Sequence, residues 1–157
     1  MFPITKILYP TDFSEPSRPA FDVACSLARD YGAELLVCHV AAPAVMLAGE
    51  GVVLETLAEE VEQVAARLGQ VKSDHPQVRL THVLLRGDPA GEILRLAGDA
   101  KPDLIVMGTH GRSGLGRLLM GSVTEAVMRK APCPVVTVKP PLPSGRGNTT
   151  PKRSVTV

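Results

Sequence analysis

Short aliphatic runs recur along this chain, each followed by a segment with helical spacing, and that alternation limits the possible folds more than any other feature. The runs are Lys6–Tyr9, Glu34–Val40, Val78–Leu85, Asp103–Gly108 and Val135–Lys139. Several are almost continuously apolar, as expected of parallel strands covered on both faces. Four helix candidates lie between them. The first, roughly 15–31, sets Phe21, Ala24, Ala28 and Tyr31 on one stripe, with Pro16 and Pro19 near its start where a missing N–H is tolerated. The second carries Leu54, Leu57, Val61, Val64, Leu68 and Val71 at steps of three and four. That spacing also suits a coiled coil, but the polar face is short, so packing on a sheet is preferred. Asp88 and Pro89 form an N-cap and first turn for the third helix, and Ser122-x-x-Glu125 has capping-box spacing for the fourth. The pattern predicts an α/β fold: one doubly wound, five-stranded parallel sheet with helices on both faces and right-handed crossovers.

Composition bounds the function. A chain of 157 residues with 45% hydrophobic content suits one ordinary core, and 3% aromatics means that core is built from Val, Leu, Ile and Ala. A net charge of +1 and few aromatics argue against nucleic acid as a partner. No apolar run approaches membrane-spanning length, and Met1-Phe2-Pro3 leads into a strand rather than a signal sequence, so no membrane association is expected. Cys25, Cys38 and Cys133 are far apart and form no C-x-x-C pair, which fits a reducing, cytoplasmic setting and bland roles as small buried residues. His39, His75 and His82 lack metal-ligand spacing, and no metal site is expected. After Lys139 the composition shifts: 1–139 reads as the domain, and 140–157, opening Pro140-Pro141-Leu142-Pro143 and carrying basic but no acidic residues, as a flexible tail. The segment Ala41 to Val53, apolar and rich in Ala and Gly, reads as a flap or a partner-ordered loop.

The chemistry is concentrated in the run from Gly108 to Ser122, GTHGRSGLGRLLMGS. It joins an apolar strand to a helix, the arrangement that binds phosphate: glycines let the backbone approach an anion, and the helix start offers unpaired N–H groups and a positive dipole end. Arg112 and Arg117 add positive charge within the loop. The bland reading is a surface loop with capping glycines. A Walker A loop is excluded because Arg117-Leu118 stands where Lys-Ser/Thr is required, and no G-x-G-x-x-G occurs. On this reading Gly111, Gly121, Ser122 and the N–H groups of Val123 and Thr124 receive the phosphates. Asp12, at a strand end, is a natural cap for the turn that follows. His110 has no paired base or nucleophile and reads as a loop hydrogen-bonding residue; Thr109 and Ser113 are equally open to phosphorylation or to a plain loop role.

The spacing Gly108-x2-Gly111-x9-Gly121-Ser122 resembles the ATP-binding signature of the universal stress protein family. The likeness runs from about Ile4 to Lys139. It takes in Lys6-Ile7-Leu8-Tyr9-Pro10-Thr11-Asp12-Phe13-Ser14, Leu36-Val37-Cys38-His39-Val40 and Pro132-Cys133-Pro134-Val135-Val136. It implies a Rossmann-like fold of the adenine nucleotide alpha hydrolase type with strand order 3-2-1-4-5, which places the topological switch between the first and fourth strands. It also implies ATP as ligand, with Mg²⁺ bound through the phosphates. By resemblance Asp12 accepts from the adenine amino group, the Val40 backbone holds the adenine edge and Gly108 lies under the ribose. Pro10, Thr11, Met107, His110 and Arg112 complete the implied binding set. The resemblance further implies a homodimer joined by antiparallel pairing of the last strand, Val135–Lys139, in which Val136→Pro would remove a ladder donor. The expected role is a nucleotide-responsive stress regulator with unknown protein partners and no dedicated catalysis. The alternatives are a nucleotide-independent interaction module and a slow ATPase or autokinase.

Overall fold

The computed structural model describes residues 3–41, 54–109 and 120–140. Strand β1 (Lys6–Pro10) leads through a single 3₁₀ turn (Glu15–Ser17) into α1 (Arg18–Tyr31). Then follow β2 (Glu34–Ala41), α2 (Leu54–Gly69), β3 (Arg79–Arg86), α3 (Pro89–Ala100), β4 (Leu104–Gly108), α4 (Ser122–Lys130) and β5 (Val135–Val138). The five strands form one parallel sheet in the order β3-β2-β1-β4-β5. Both the α/β alternation and the implied strand order therefore hold.

The period-2 geometry of the strands sends alternate residues into two separate cores. Ile7, Tyr9, Leu35, Val37, Leu104 and Val106 face α1 and α2, meeting Ala20, Ala24, Ala28 and Leu68. Their neighbours Leu8, Leu36, Cys38, Ile105 and Met107 face α3 and α4, meeting Ile93, Ala97 and Val127. The central strands are apolar at nearly every position because both faces are covered. Small residues on α1 let that helix sit close to the sheet.

Four local expectations need correction. The 15–31 segment is not one helix: Pro16 and Pro19 each lack an N–H, and the chain makes a 3₁₀ turn before α1 begins at Arg18. Tyr31 is not a core residue; it is 53% exposed in the last turn of α1. The last strand stops at Val138, one residue before Lys139. Ser122 does not cap α4: Gly121 occupies the N-cap position with no side-chain bond, Ser122 is already helical, and the capping box is not formed. Asp88, by contrast, caps α3 as expected, its Oδ2 accepting from Gly91 N at 2.8 Å.

The cysteines are free. Burial pushes the Cys38 thiol up to about 12, so it stays protonated and inert. No helix among the described residues is long and apolar enough to cross a membrane.

Candidate functional site

The seam between β1 and β4 opens at the carboxyl end of the sheet. Their pairing runs only from Ile7↔Leu104 to Leu8↔Ile105. Beyond that point β1 continues beside β2 as far as Pro10↔Cys38, while β4 continues beside β5 as far as Gly108↔Val138. Each strand thus follows its outer neighbour, and a crevice opens where the strand order reverses, the position at which open α/β sheets hold their ligands.

One wall is the end of β1. Thr11 N donates to Cys38 O at 2.8 Å, which extends the β1–β2 seam into the turn. Asp12 then folds the chain over: its Oδ1 accepts from Ser14 N at 3.0 Å and from Ser14 Oγ at 2.6 Å. The capping role read from the sequence is therefore present. Phe13 takes a left-handed φ of 60°, a conformation uncommon for a bulky side chain, and its N–H is held by Thr11 Oγ1 at 3.0 Å. His39 lies beneath, with Nδ1 2.7 Å from Thr11 O and its ring 4.3 Å from that of Phe13. The histidine is a buried brace for the turn. Val40 packs its half-buried side chain on the α3/α4 core.

The other wall is the end of β4 with the start of α4. Thr109 N donates to Val138 O at 3.0 Å, and Gly121 N donates to Thr109 O at 2.8 Å. The Thr124 hydroxyl donates to Gly108 O at 2.9 Å. These bonds fix the first turn of α4 against the end of β4. They also correct one assignment: the Gly121 N–H is spent on Thr109 and is not available to a phosphate. The first intrahelical acceptor is Gly121 O, taking Glu125 N at 2.9 Å. The N–H groups of Ser122, Val123 and Thr124 precede it and have no acceptor among the described residues, which leaves three donors at the positive end of the helix. Thr124 was expected only as an N–H donor, and its side chain proves to be a structural clamp. Met107 is buried in the α3/α4 core and can offer a ligand only backbone.

The structure therefore brings Pro10, Thr11 and Asp12 to one side of the crevice and Gly108, Gly121, Ser122, Val123 and Thr124 to the other. His110, Gly111 and Arg112, with Ser113 and Arg117, lie outside the described residues, as do 42–53 and the tail from Pro141 onward. The donor set fits an anionic group: backbone N–H donors stand at a helix start, while a carboxylate stands across the crevice where it would meet an amino group rather than a phosphate. Sequence reading missed the Thr109–Gly121 and Thr124–Gly108 bonds. Only the hydroxyl at Thr124, half a turn into a helix beginning, hinted at them.

A family model described as the universal stress protein family matches residues 3–139. Among curated proteins, the universal stress protein MJ0531 of Methanocaldococcus jannaschii is 39% identical over 141 residues, covering 87% of this chain and 82% of that protein. The solved structure of MJ0577, a universal stress protein of the same organism, superposes with a TM-score of 0.71 at 29% identity, covering 94% of this chain and 99% of that one. A universal stress protein crystallised in complex with cAMP superposes at 0.58 with 26% identity, covering 88% of this chain and 98% of that one.

Proposed function

This chain belongs to the universal stress protein family, and on that premise we propose that it binds ATP in the β1/β4 crevice and acts as a nucleotide-responsive regulator. One observation carries the reading: the two strands part at the switch point, and the N–H groups of Ser122, Val123 and Thr124, which have no acceptor among the described residues, stand at the mouth of the gap. The cAMP complex of a related protein supports an adenine nucleotide as the ligand class. The phosphates lie on the first turn of α4, and the ATP-binding signature adds His110, Gly111 and Arg112 to the proposed binding set. Gly108 lies under the ribose. Asp12 uses the carboxylate oxygen not engaged with Ser14 to accept from the adenine amino group, and the Val40 backbone meets the ring edge. Pro10, Thr11 and Met107 contribute the surrounding backbone.

Bound in this way, ATP supplies a polyphosphate whose charge carries Mg²⁺ with it, and no residue of the crevice is assigned a catalytic step. Charge-assisted hydrogen bonds contribute about 1.5–3 kcal/mol each. Three of them contribute about 4.5–9 kcal/mol in all, which offsets an association cost of several kcal/mol and leaves the net affinity to the adenine and ribose contacts. Calorimetry tests the reading. ATP is expected to bind at least about tenfold tighter than GTP, whose ring places a carbonyl opposite Asp12 at a cost of ~1–3 kcal/mol. Equal affinities would remove Asp12 from the site.

The dimer contact is assigned to β5. It is an edge strand, and Val136 is 37% exposed. Its parity changes the choice of test. Pro134 O accepts from Ile105 N and Val138 O from Thr109 N, so by period 2 the Val136 backbone also faces β4. Val136→Pro would therefore break the sheet itself. Val135 and Thr137 present their backbone groups outward, and Thr137→Pro removes an edge donor without touching the β4 ladder. In sedimentation at tens of micromolar the wild type is expected to be a dimer joined by antiparallel β5 edges across a two-fold axis, and Thr137→Pro a monomer. A monomeric wild type would refute the contact.

A further inference from the structure

A second concavity lies beside the turn that follows β1, between the start of α1 and the end of α2. It encloses about 380 Å³, within the ~300–1,000 Å³ range of small-molecule pockets. Its floor is nearly closed and polar: Tyr9, Thr11 and Ser17 are each less than 10% exposed, and the Tyr9 hydroxyl donates to Ser17 O at 3.1 Å. Phe13 and Phe21 supply aromatic walls, and Phe21 packs 5.3 Å from the Tyr9 ring. The rim carries Arg18, Arg67 and Lys72 against one carboxylate, Glu15.

The three cations are not committed to carboxylates. Among the described residues the ion pairs are Arg29–Asp30, Arg95–Glu92, Arg95–Asp99 and Arg129–Glu125, and none involves this rim. Arg67 is held in place, its guanidinium 4.6 Å from the Phe13 ring centroid and its Nη2 donating to Phe13 O at 3.3 Å. That contact preorganises a planar cation beside an aromatic face while leaving its other N–H groups open. The positively charged rim also disfavours the tail of this chain as occupant, because 140–157 contains basic residues and no acidic ones.

We propose that this cleft is a second ligand site, for a small organic acid with an aromatic ring. The ring lies along Phe21, beside the Phe13 ring that Arg67 and His39 already stack against, and the anionic group meets Arg18, Arg67 and Lys72. Size, aromatic walls and charge each restrict the ligand, and together they favour an anionic one. The site shares no helix with the phosphate cradle, and the two readings meet only at Thr11 and the turn that follows it.

Phenyl phosphate is a suitable probe, followed by amide chemical shifts of the full chain in solution. Phenol carries the ring without the charge, and inorganic phosphate the charge without the ring. Saturable shifts are expected for phenyl phosphate at amides of Phe13–Arg18 and Gln70–Lys72, with a dissociation constant near about 1 mM, the weak end of specific binding. Phenol and phosphate should leave those amides unsaturated at the same concentration. The double variant Arg18→Glu/Lys72→Glu changes exposed rim residues only, and should keep a folded spectrum while weakening the probe at least about tenfold, a factor of ten being 1.4 kcal/mol. Four outcomes would overturn the proposal: no saturable shift at these amides, equal response to phenol, equal response to phosphate alone, or unchanged binding in the double variant. Shifts confined to Gly108 and Ser122–Thr124 would mean that only the crevice binds anions, and would overturn it equally.

Discussion

The two ends of the seam between β1 and β4 carry the same kind of residue to opposite effect. At the amino end Asp103 stitches the strands together. Its Oδ2 accepts from Thr5 N and Thr5 Oγ1 at 2.8 Å and from Lys6 N at 3.0 Å, while Asp103 N donates to Lys6 O at 2.9 Å. Lys6 Nζ adds a bond to Ala100 O at 3.1 Å. At the carboxyl end the Asp12 carboxylate turns back on its own loop, where Oδ1 accepts from Ser14 N and Ser14 Oγ. One carboxylate closes the seam between two strands, and the other shapes the turn beside the gap. In open α/β sheets it is the carboxyl end of the strands, where the strand order reverses, that takes a ligand.

The largest effect that separates the two ends is expected from Gly121→Val. The N-cap backbone at φ −60° and ψ 143° accepts any residue, and its N–H can still reach Thr109 O. A branched side chain would nevertheless stand beside the three N–H donors. Loss of two charged hydrogen bonds, about 3 kcal/mol, should lower ATP affinity more than about a hundredfold with an unchanged far-UV spectrum. Normal ATP binding by calorimetry would place the phosphates elsewhere, and unfolding would make the glycine structural.

A smaller, more selective change is Asp12→Asn. Asparagine can still accept from Ser14 N and keep the turn, but it offers an NH₂ group to the adenine amino group. ATP affinity should fall by about tenfold, ~1–3 kcal/mol, and the preference over GTP should narrow or reverse. A variant that keeps the wild-type preference, measured in the same titration, would show that Asp12 only caps the turn.

The closed end should respond in stability alone. Asp103→Ala removes the acceptor of three donors and is expected to lower Tm by a few degrees while leaving ATP affinity unchanged. The Thr5 backbone and hydroxyl, then Lys6 N, hold the Asp103 carboxyl below its ordinary value. The folded state therefore binds fewer protons than the unfolded one in that range, so the stabilisation is complete above about pH 3.9 and is lost as pH falls through the lowered native value. The acid limb of a Tm-versus-pH curve should flatten in the variant. If ATP affinity falls together with Tm, the two ends are coupled and the contrast between them fails.

How much of this was legible in the sequence differs from element to element. The central strands announced themselves because burial on both faces demands continuous apolar runs, as in Leu35 to Cys38 and Leu104 to Met107. The cap at Asp88 was legible because it acts within one turn. Tyr31 misled because helical spacing shows which residues share a stripe but not where the stripe leaves the sheet. Ser122 misled because Gly121, with no side chain to cap, takes the N-cap position when its N–H is drawn to Thr109 O. That partner is in sequence a whole loop away.

The chain alone thus determined the alternation of elements, the two-faced burial of the sheet and the glycine spacing beside a helix start, since each rests on contacts between near neighbours or on a simple period. Only the tertiary structure decided that β1 and β4 separate after Leu8 and Ile105, that Gly121 gives its N–H to Thr109, and that the Val136 backbone groups face β4 while its side chain stays exposed. Those outcomes depend on which distant backbone groups meet, and a hydrogen bond between remote segments is chosen by packing and register, which no local pattern of residues records.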